Sequence, residues 1–214
     1  MSEGLILSDV TLAVAGITLI DRLSLSVAPG EVISLMGPSG SGKSSLIAYL
    51  CGALDRQFQA SGTVTLDGVC IDRWPIERRR VGVLFQDDML FAHMTVGENL
   101  AFAVARGVGR AERQARVAQA LAEAELTGFT NRSPATLSGG QRARVALMRA
   151  MLAEPRALLL DEPFARLDPS LRLRIRDFTF AMIAARGVPA LLVTHDAQDV
   201  PGQMLDLGQP NPRI

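Results

Sequence analysis

The sequence predicts an α/β fold, with a parallel sheet at its core, an N-terminal antiparallel β lobe and an inserted helical lobe. Three observations predict it. Apolar runs at 31–36, 157–160 and 189–193 are long enough for buried strands and too short for helices. Residues 6–14 and 18–27 instead alternate apolar and polar side chains, the period of a half-buried antiparallel pair. Residues 97–129 read as alanine-rich helix, divided by Gly107 and Gly109.

Bulk properties narrow the class. With 214 residues the chain has enough length for one substantial core. Hydrophobic residues make up 48% and charged residues 21%, an ordinary globular balance. Lys+Arg and Asp+Glu both number 22, so no global charge draws the chain to nucleic acid or anionic lipid. No charged-then-apolar leader opens the sequence, and no apolar run reaches the ~18–20 residues of a spanning helix. Cys51 and Cys70 form no metal-spaced or redox pair and read as reduced core thiols. A soluble, cytosolic chain is expected, reaching a membrane only through a partner.

In the first lobe, Leu23, Leu25 and Val27 share one face of the second strand, and Pro29-Gly30 turns the chain into the strand at 31–36. That strand leads into Gly37-Pro38-Ser39-Gly40-Ser41-Gly42-Lys43-Ser44, a full match to G-x-x-x-x-G-K-[ST]. Residues 45–53, starting at Ser45, suit the helix that the motif requires next. Glycines let several N–H groups converge on one centre, and the helix N-terminus adds positive potential. Lys43 is placed for the β- and γ-phosphates and the Ser44 hydroxyl for Mg²⁺. In this context a chance glycine-rich turn is the weaker reading. The core is that of a phosphate-loop nucleotidase.

Residues 62–68 supply a β-branched strand to the first lobe. Arg78-Arg79-Arg80 reads as a solvated face, and residues 81–85 form a buried strand that ends on Gln86. In the stretch that follows, His93 and the Met and Phe side chains read as packing. Residues 110–126 put Val117, Leu121 and Ala124 on one helical face. The expected organisation is a single domain over 1–214 with an inserted helical subdomain at about 88–150. Near its end, Ser138 suits the N-cap of a helix over 142–153 that carries Val145, Met148 and Leu152 at core spacing. Ser138-Gly139-Gly140 at a helix start is a second anion site, separate from the first.

The run at 157–160 ends in Asp161-Glu162-Pro163. Acids at the C-terminal end of a buried strand sit where α/β sheets bind ligands. Asp161 suits the Mg²⁺ shell, and Glu162 can accept a proton from an attacking water. After a helix over 169–185, the strand at 189–193 ends on Thr194-His195-Asp196, placing His195 level with Glu162. The tail, 200–214, carries three prolines and a short apolar patch at 204–207, and reads as a reduced ending.

Together these motifs resemble the ATP-binding-cassette (ABC) ATPases, over nearly the whole chain and in the family's order: GPSGSGKS, Gln86, LSGGQ, ALLLDEP, the Leu167-Asp168 turn and His195. The phosphate loop combined with LSGGQ at the head of a helix is the specific part. The resemblance implies two chains sandwiching two ATP·Mg²⁺ head to tail. Ser138, Gly139, Gly140 and Gln141 of one chain then face the γ-phosphate on the other chain's Lys43. Ser44, Gln86 and Asp161 serve the metal, with Gln86 also sensing the attacking water. Glu162 is the implied general base, His195 holds the γ-phosphate, and Asp168 lies on the dimer seam.

Residues 90–99, LFAHMTVGEN, resemble the stretch by which importer ATPases face the coupling helices of a permease. The resemblance therefore implies the ATP-hydrolysing subunit of a bacterial importer. It would work as a homodimer with an integral-membrane permease and a periplasmic solute-binding protein, peripheral on the cytoplasmic face of the inner membrane. A membrane complex for lipoprotein release or cell division is the competing task. A nucleic-acid-associated ATPase is disfavoured by the short inserted lobe and the balanced charge, so no nucleic-acid partner is expected.

Three positions depart from the family pattern. Val14 stands where an aromatic often stacks on adenine, so nucleotide affinity or base selectivity is expected to be loose. Ala165 stands where Ser is frequent, at the cost of one seam hydrogen bond. No regulatory domain is expected after His195, nor control through one.

Overall fold

The computed structural model describes residues 3–207. Two compact units divide them: the chain up to Val83 with Arg156–Glu162 and the residues from Phe180 on, and Leu84–Pro155 with Pro163–Thr179. The chain begins with β1 (Leu5–Val14), β2 (Ile17–Val27), β3 (Val32–Met36), α1 (Lys43–Cys51), β4 (Phe58–Leu66) and β5 (Val69–Cys70). A single turn, α2 (Ile76–Arg79), leads to β6 (Val81–Leu84). Three helices follow, α3 (Val96–Ala103), α4 (Arg110–Glu123) and α5 (Gly139–Leu152). The chain continues as β7 (Ala157–Asp161), α6 (Pro169–Arg186), β8 (Ala190–Val193) and β9 (Met204–Asp206).

The first unit holds two sheets. β2-β1-β4-β5 is antiparallel, and the alternation in β2 buries Leu23, Leu25 and Val27 while neighbouring polar residues stay outside. The second sheet runs β6-β7-β8-β3-β9, with β3 parallel to β8 and β9, and β7 parallel to β8. β7 and β8 are buried on both faces, which is why they read as continuous apolar runs rather than alternating ones. Leu12, Leu35, Leu46, Leu50, Leu159 and Leu191 belong to one core that joins both sheets and α1.

Register decides where function can sit. Val193 pairs with Leu35 on one side and with Asp161 on the other. The C-terminal ends of β3, β7 and β8 are therefore level, and the residues after each strand emerge at one edge of the sheet.

In the second unit α3, α4 and α5 pack on one another, burying Leu100, Val117, Leu121, Val145 and Met148. Thr95 opens α3 with a capping box to Glu98, which satisfies two backbone donors reciprocally.

Several expectations need correction. Arg79 is not part of a solvated face: it is 4% exposed. Its guanidinium donates to the carbonyls of Tyr49 (2.6 Å), Leu50 (3.0 Å), Asp72 (2.5 Å) and Trp74 (2.8 Å). A cation thus covers the last carbonyls of α1, where the helix dipole is negative. Cys70 is exposed, as is Val69 beside it in the two-residue edge strand β5, while Cys51 is half-buried. β4 starts at Phe58, earlier than its β-branched run, because pairing with β1 extends from Leu5↔Leu66 to Val14↔Phe58. The apolar patch of the tail is strand β9 beside β3, and residues 208–214 of that tail lie outside the described residues.

Candidate functional site

The phosphate loop runs from the end of β3 into α1. Gly42 is the N-cap of α1 at φ 89°, and a Cβ there would stand 3.0 Å from Leu19 Cβ and 3.1 Å from Ile20 Cγ1. Only glycine meets both demands, the left-handed backbone and the close approach to β2. The Lys43 ammonium lies across the loop and donates to Gly37 O (2.7 Å), Pro38 O (2.8 Å) and Ser41 Oγ (3.3 Å). Lys43, Ser44 and Ser45 occupy the first turn of α1, where N–H groups have no intrahelical acceptor. Loop amides, helix start and ammonium form one cationic cradle suited to a phosphate chain.

Beside it, β7 ends on Asp161 and continues to Glu162. Burial, then the neighbouring Glu162, push the Asp161 carboxyl above the ordinary carboxylate range, and the Lys43 ammonium opposes them. Among the described residues nothing donates a hydrogen bond to that carboxylate. A half-buried acid with an acidic neighbour and no donor fits the oxygen set that Mg²⁺ takes, with the Ser44 hydroxyl nearby in sequence to Lys43.

Glu162 adopts φ 48°, a left-handed conformation unusual for a side chain of this size, and its N–H donates to Val193 O (2.9 Å). This bond carries the β7–β8 ladder one residue past the strand and fixes the direction of the Glu162 side chain. Strain of this kind collects where surrounding structure over-determines a functional residue. Opposite, His195 follows β8, with Nδ1 3.1 Å from Glu162 Oε1. One edge therefore assembles the loop, Asp161, Glu162 and His195.

The second unit carries the remaining sequence-derived residues. Ser138 caps α5: its Oγ accepts from Gln141 N (3.3 Å), and Gln141 Oε1 accepts from Ser138 N (2.9 Å). This capping box uses two donors and leaves the N–H groups of Gly139 and Gly140 pointing out of the helix start. Gln86 and Gly139 line a cavity of about 200 Å³ together with Asp87, Asp88, Arg142 and Arg166. Arg142 Nε bonds Asp88 Oδ2 at 3.0 Å, and Arg166 pairs with Asp87. Asp168 caps α6, accepting from Leu171 N (3.1 Å) and Ser170 Oγ (2.8 Å); these bonds hold its carboxyl below the ordinary range.

Sequence reasoning missed Thr194 and Asp199, both buried, whose side chains bond at 3.0 Å directly after β8. The signal was the acid in His195-Asp196-Ala197-Gln198-Asp199, but nothing in that string says which acid turns inward.

Nucleotide chemistry at the C-terminal edge of a parallel sheet is the province of phosphate-loop nucleotidases, and by fold and site this chain is one. The family model described as ABC transporter matches residues 20–165. The chain is 44% identical over 207 residues to the uncharacterized ABC transporter ATP-binding protein YnjD of Escherichia coli K12, covering 96% of this chain and 95% of that one. It is 39% identical to the sulfate/thiosulfate import ATP-binding protein CysA of Thermosynechococcus vestitus, covering 92% of this chain and 58% of that one. With the Fe(3+) ions import ATP-binding protein FbpC of Streptomyces coelicolor the identity is 44%, over 89% of this chain and 54% of that one. The chain thus spans little more than half the length of those two import proteins. A solved ATP-binding cassette, dimeric in a post-hydrolysis state with ADP and Pi, matches at a TM-score of 0.75 and 30% identity, covering 95% of this chain and 94% of that one. The chain belongs to the ABC transporter family and is an ATP-binding ATPase subunit of it.

Proposed function

We propose that this chain is the ATP-hydrolysing subunit of a bacterial importer of a small solute, acting as a homodimer on the cytoplasmic face of the inner membrane. The observation that carries the ATPase part is the register of Val193 with Leu35 and Asp161, which brings the phosphate loop, the two acids and His195 to one edge. Importer-type relatives for sulfate and Fe(3+) support the transport part. Among the described residues no helix is long and apolar enough to cross a membrane, so an integral-membrane permease is the partner this reading requires. A periplasmic solute-binding protein would deliver the cargo.

In this reading the loop from Gly37 to Ser45 binds the phosphates, and Ser44 with Asp161 holds Mg²⁺. When bound, the metal would supply neutralisation of phosphate charge. Gln86 keeps the role that the family pattern gives it, toward Mg²⁺ and water. Glu162 takes the proton of the attacking water and His195 holds the γ-phosphate. The outward N–H groups of Gly139 and Gly140, with Ser138 and Gln141, meet the γ-phosphate of the second chain, and Asp168 lies on the seam between chains. The proposed inserted helical lobe, about 88–150, carries Ser138 to Gln141 and falls within the second unit, which also holds Gln86 and Asp168.

The test is capture of tagged Glu162→Gln protein with ATP from detergent-solubilised membranes of the native cell, read by mass spectrometry. A many-span permease, with a binding protein encoded beside it, is expected. A few-span membrane protein tied to lipoproteins or wall hydrolases would replace the importer reading. Soluble partners alone would remove the membrane task.

A further inference from the structure

His195 reaches Glu162 from an exposed position, its side chain 63% accessible, so its own contacts do little to hold the ring. What aims it is the backbone on either side. On the N-terminal side Thr194 N donates to Leu35 O at 3.2 Å, tying the turn to β3. On the C-terminal side Asp196 N donates to Thr194 Oγ1 at 3.1 Å. That hydroxyl in turn donates to Asp199 Oδ2 at 3.0 Å, and Thr194 and Asp199 are 1% and 2% exposed. The hydroxyl can accept from Asp196 N only while its own proton points elsewhere, and the Asp199 carboxylate fixes that direction. Asp199 is held in its own place by a 3₁₀ turn in which its N–H donates to Asp196 O at 3.1 Å.

We propose that the buried Thr194–Asp199 pair is a positioning device for the reaction: through the Asp196 amide it fixes the turn that presents His195 to Glu162. Neither residue touches nucleotide; both act through His195. The inference rests on the ATPase reading above. A buried hydrogen bond is stiff, and reacting groups displaced by an ångström lose roughly 10²-fold in rate. The pair therefore governs turnover and leaves ATP affinity to the phosphate loop.

The test compares steady-state ATP hydrolysis and ATP binding for the full chain with Thr194→Val, Thr194→Ser, Asp199→Ala, Asp199→Asn, His195→Ala and the double variant His195→Ala/Thr194→Val. Thr194→Val keeps the volume and removes only the hydroxyl, so it serves if Asp199→Ala fails to fold. Thr194→Val is expected to lower kcat by roughly tenfold or more with the ATP dissociation constant within about twofold of the parent. Thr194→Ser and Asp199→Asn, which retain the bond, should recover most of the rate. In the double variant the hydroxyl should no longer matter, because its effect passes through His195. Costs that add in the double variant, or a Thr194→Val chain with the parent kcat, overturn the proposal. A His195→Ala chain at the parent rate overturns both the proposal and the role given to His195. A parent chain that hydrolyses no ATP overturns the functional reading and the proposal with it.

Discussion

His195 Nδ1 stands 3.1 Å from Glu162 Oε1, across the ends of two adjacent parallel strands. The approach needs an imidazole proton on Nδ1, and a contact from Nε2 to a phosphate oxygen needs a second proton there, because both oxygens accept. Replacing Glu162 with Gln keeps an acceptor for His195 and removes the base. Glu162→Gln is expected to bind ATP normally and to hydrolyse it about 10²–10⁴-fold more slowly, measured by phosphate release beside a nucleotide titration. Hydrolysis at the parent rate would take the base assignment away from Glu162.

Asp161 makes a stability prediction with a defined sign. Its carboxyl titrates higher in the fold than in the unfolded chain, mainly through burial and then through Glu162. Such a group adds stability while protonated, below its unfolded pKa, and that contribution is lost as pH rises through its folded pKa. At neutral pH the nucleotide-free Asp161→Asn chain should therefore melt higher than the parent, and the gap should close in acid near pH 3–4. The same variant should lose Mg²⁺-dependent hydrolysis. A lower melting temperature at neutral pH would mean that ionised Asp161 has a stabilising partner in the free protein.

How much of this could be read from the sequence depends on how local each feature is. The phosphate loop requires contiguous residues from Gly37 to Ser44, so it is fully legible, as are β7 and β8, whose burial on both faces writes continuous apolar runs. Ser138 and Gln141 stand three apart and announce their capping box. Arg79 is different. Its acceptors on Tyr49 and Leu50 belong to a helix far back in the chain, and its neighbours Arg78 and Arg80 disguise it as a charged surface. The bond of Arg142 to Asp88, far back in the chain, is hidden in the same way; that of Thr194 to Asp199 is local but hidden too, since Asp196 offers a second acid in the same short string. β9 and Gln59 to Gly62 of β4 lack strong strand propensity and are strands because β3 and β1 offer them partners.

The cysteines should differ sharply in reactivity. Burial pushes the Cys51 thiol up to about 11, so it carries almost no thiolate at pH 8. Cys70 is exposed on the edge strand β5. A thiol reagent added to native protein at pH 8 should therefore show one fast phase, which Cys70→Ser removes, and one slow phase that follows opening of the first unit. Two fast phases would place Cys51 within reach of solvent.

The adjacent glycines of the signature turn separate packing from ligand approach. A Cβ on Gly140 would stand 2.6 Å from Leu171 Cδ1 and 3.1 Å from its Cγ, whereas one on Gly139 would meet only Leu167 Cδ2 at 3.7 Å. Gly140→Ala must shift the end of the Leu171 side chain, a cost partly offset by alanine's better helix propensity, so Tm is expected to fall by roughly 1–2 °C. Gly139→Ala fits the folded chain, so its Tm should stay at the parent value. Its methyl group would nevertheless crowd the first turn of α5, where the second chain's γ-phosphate is proposed to approach, and hydrolysis should fall roughly tenfold or more while ATP binding by the single chain persists. Thermal melts and phosphate release on the two variants check both halves. A Gly139→Ala chain that hydrolyses ATP at the parent rate would mean that no phosphate comes close to this turn, and that its outward amides serve only the helix.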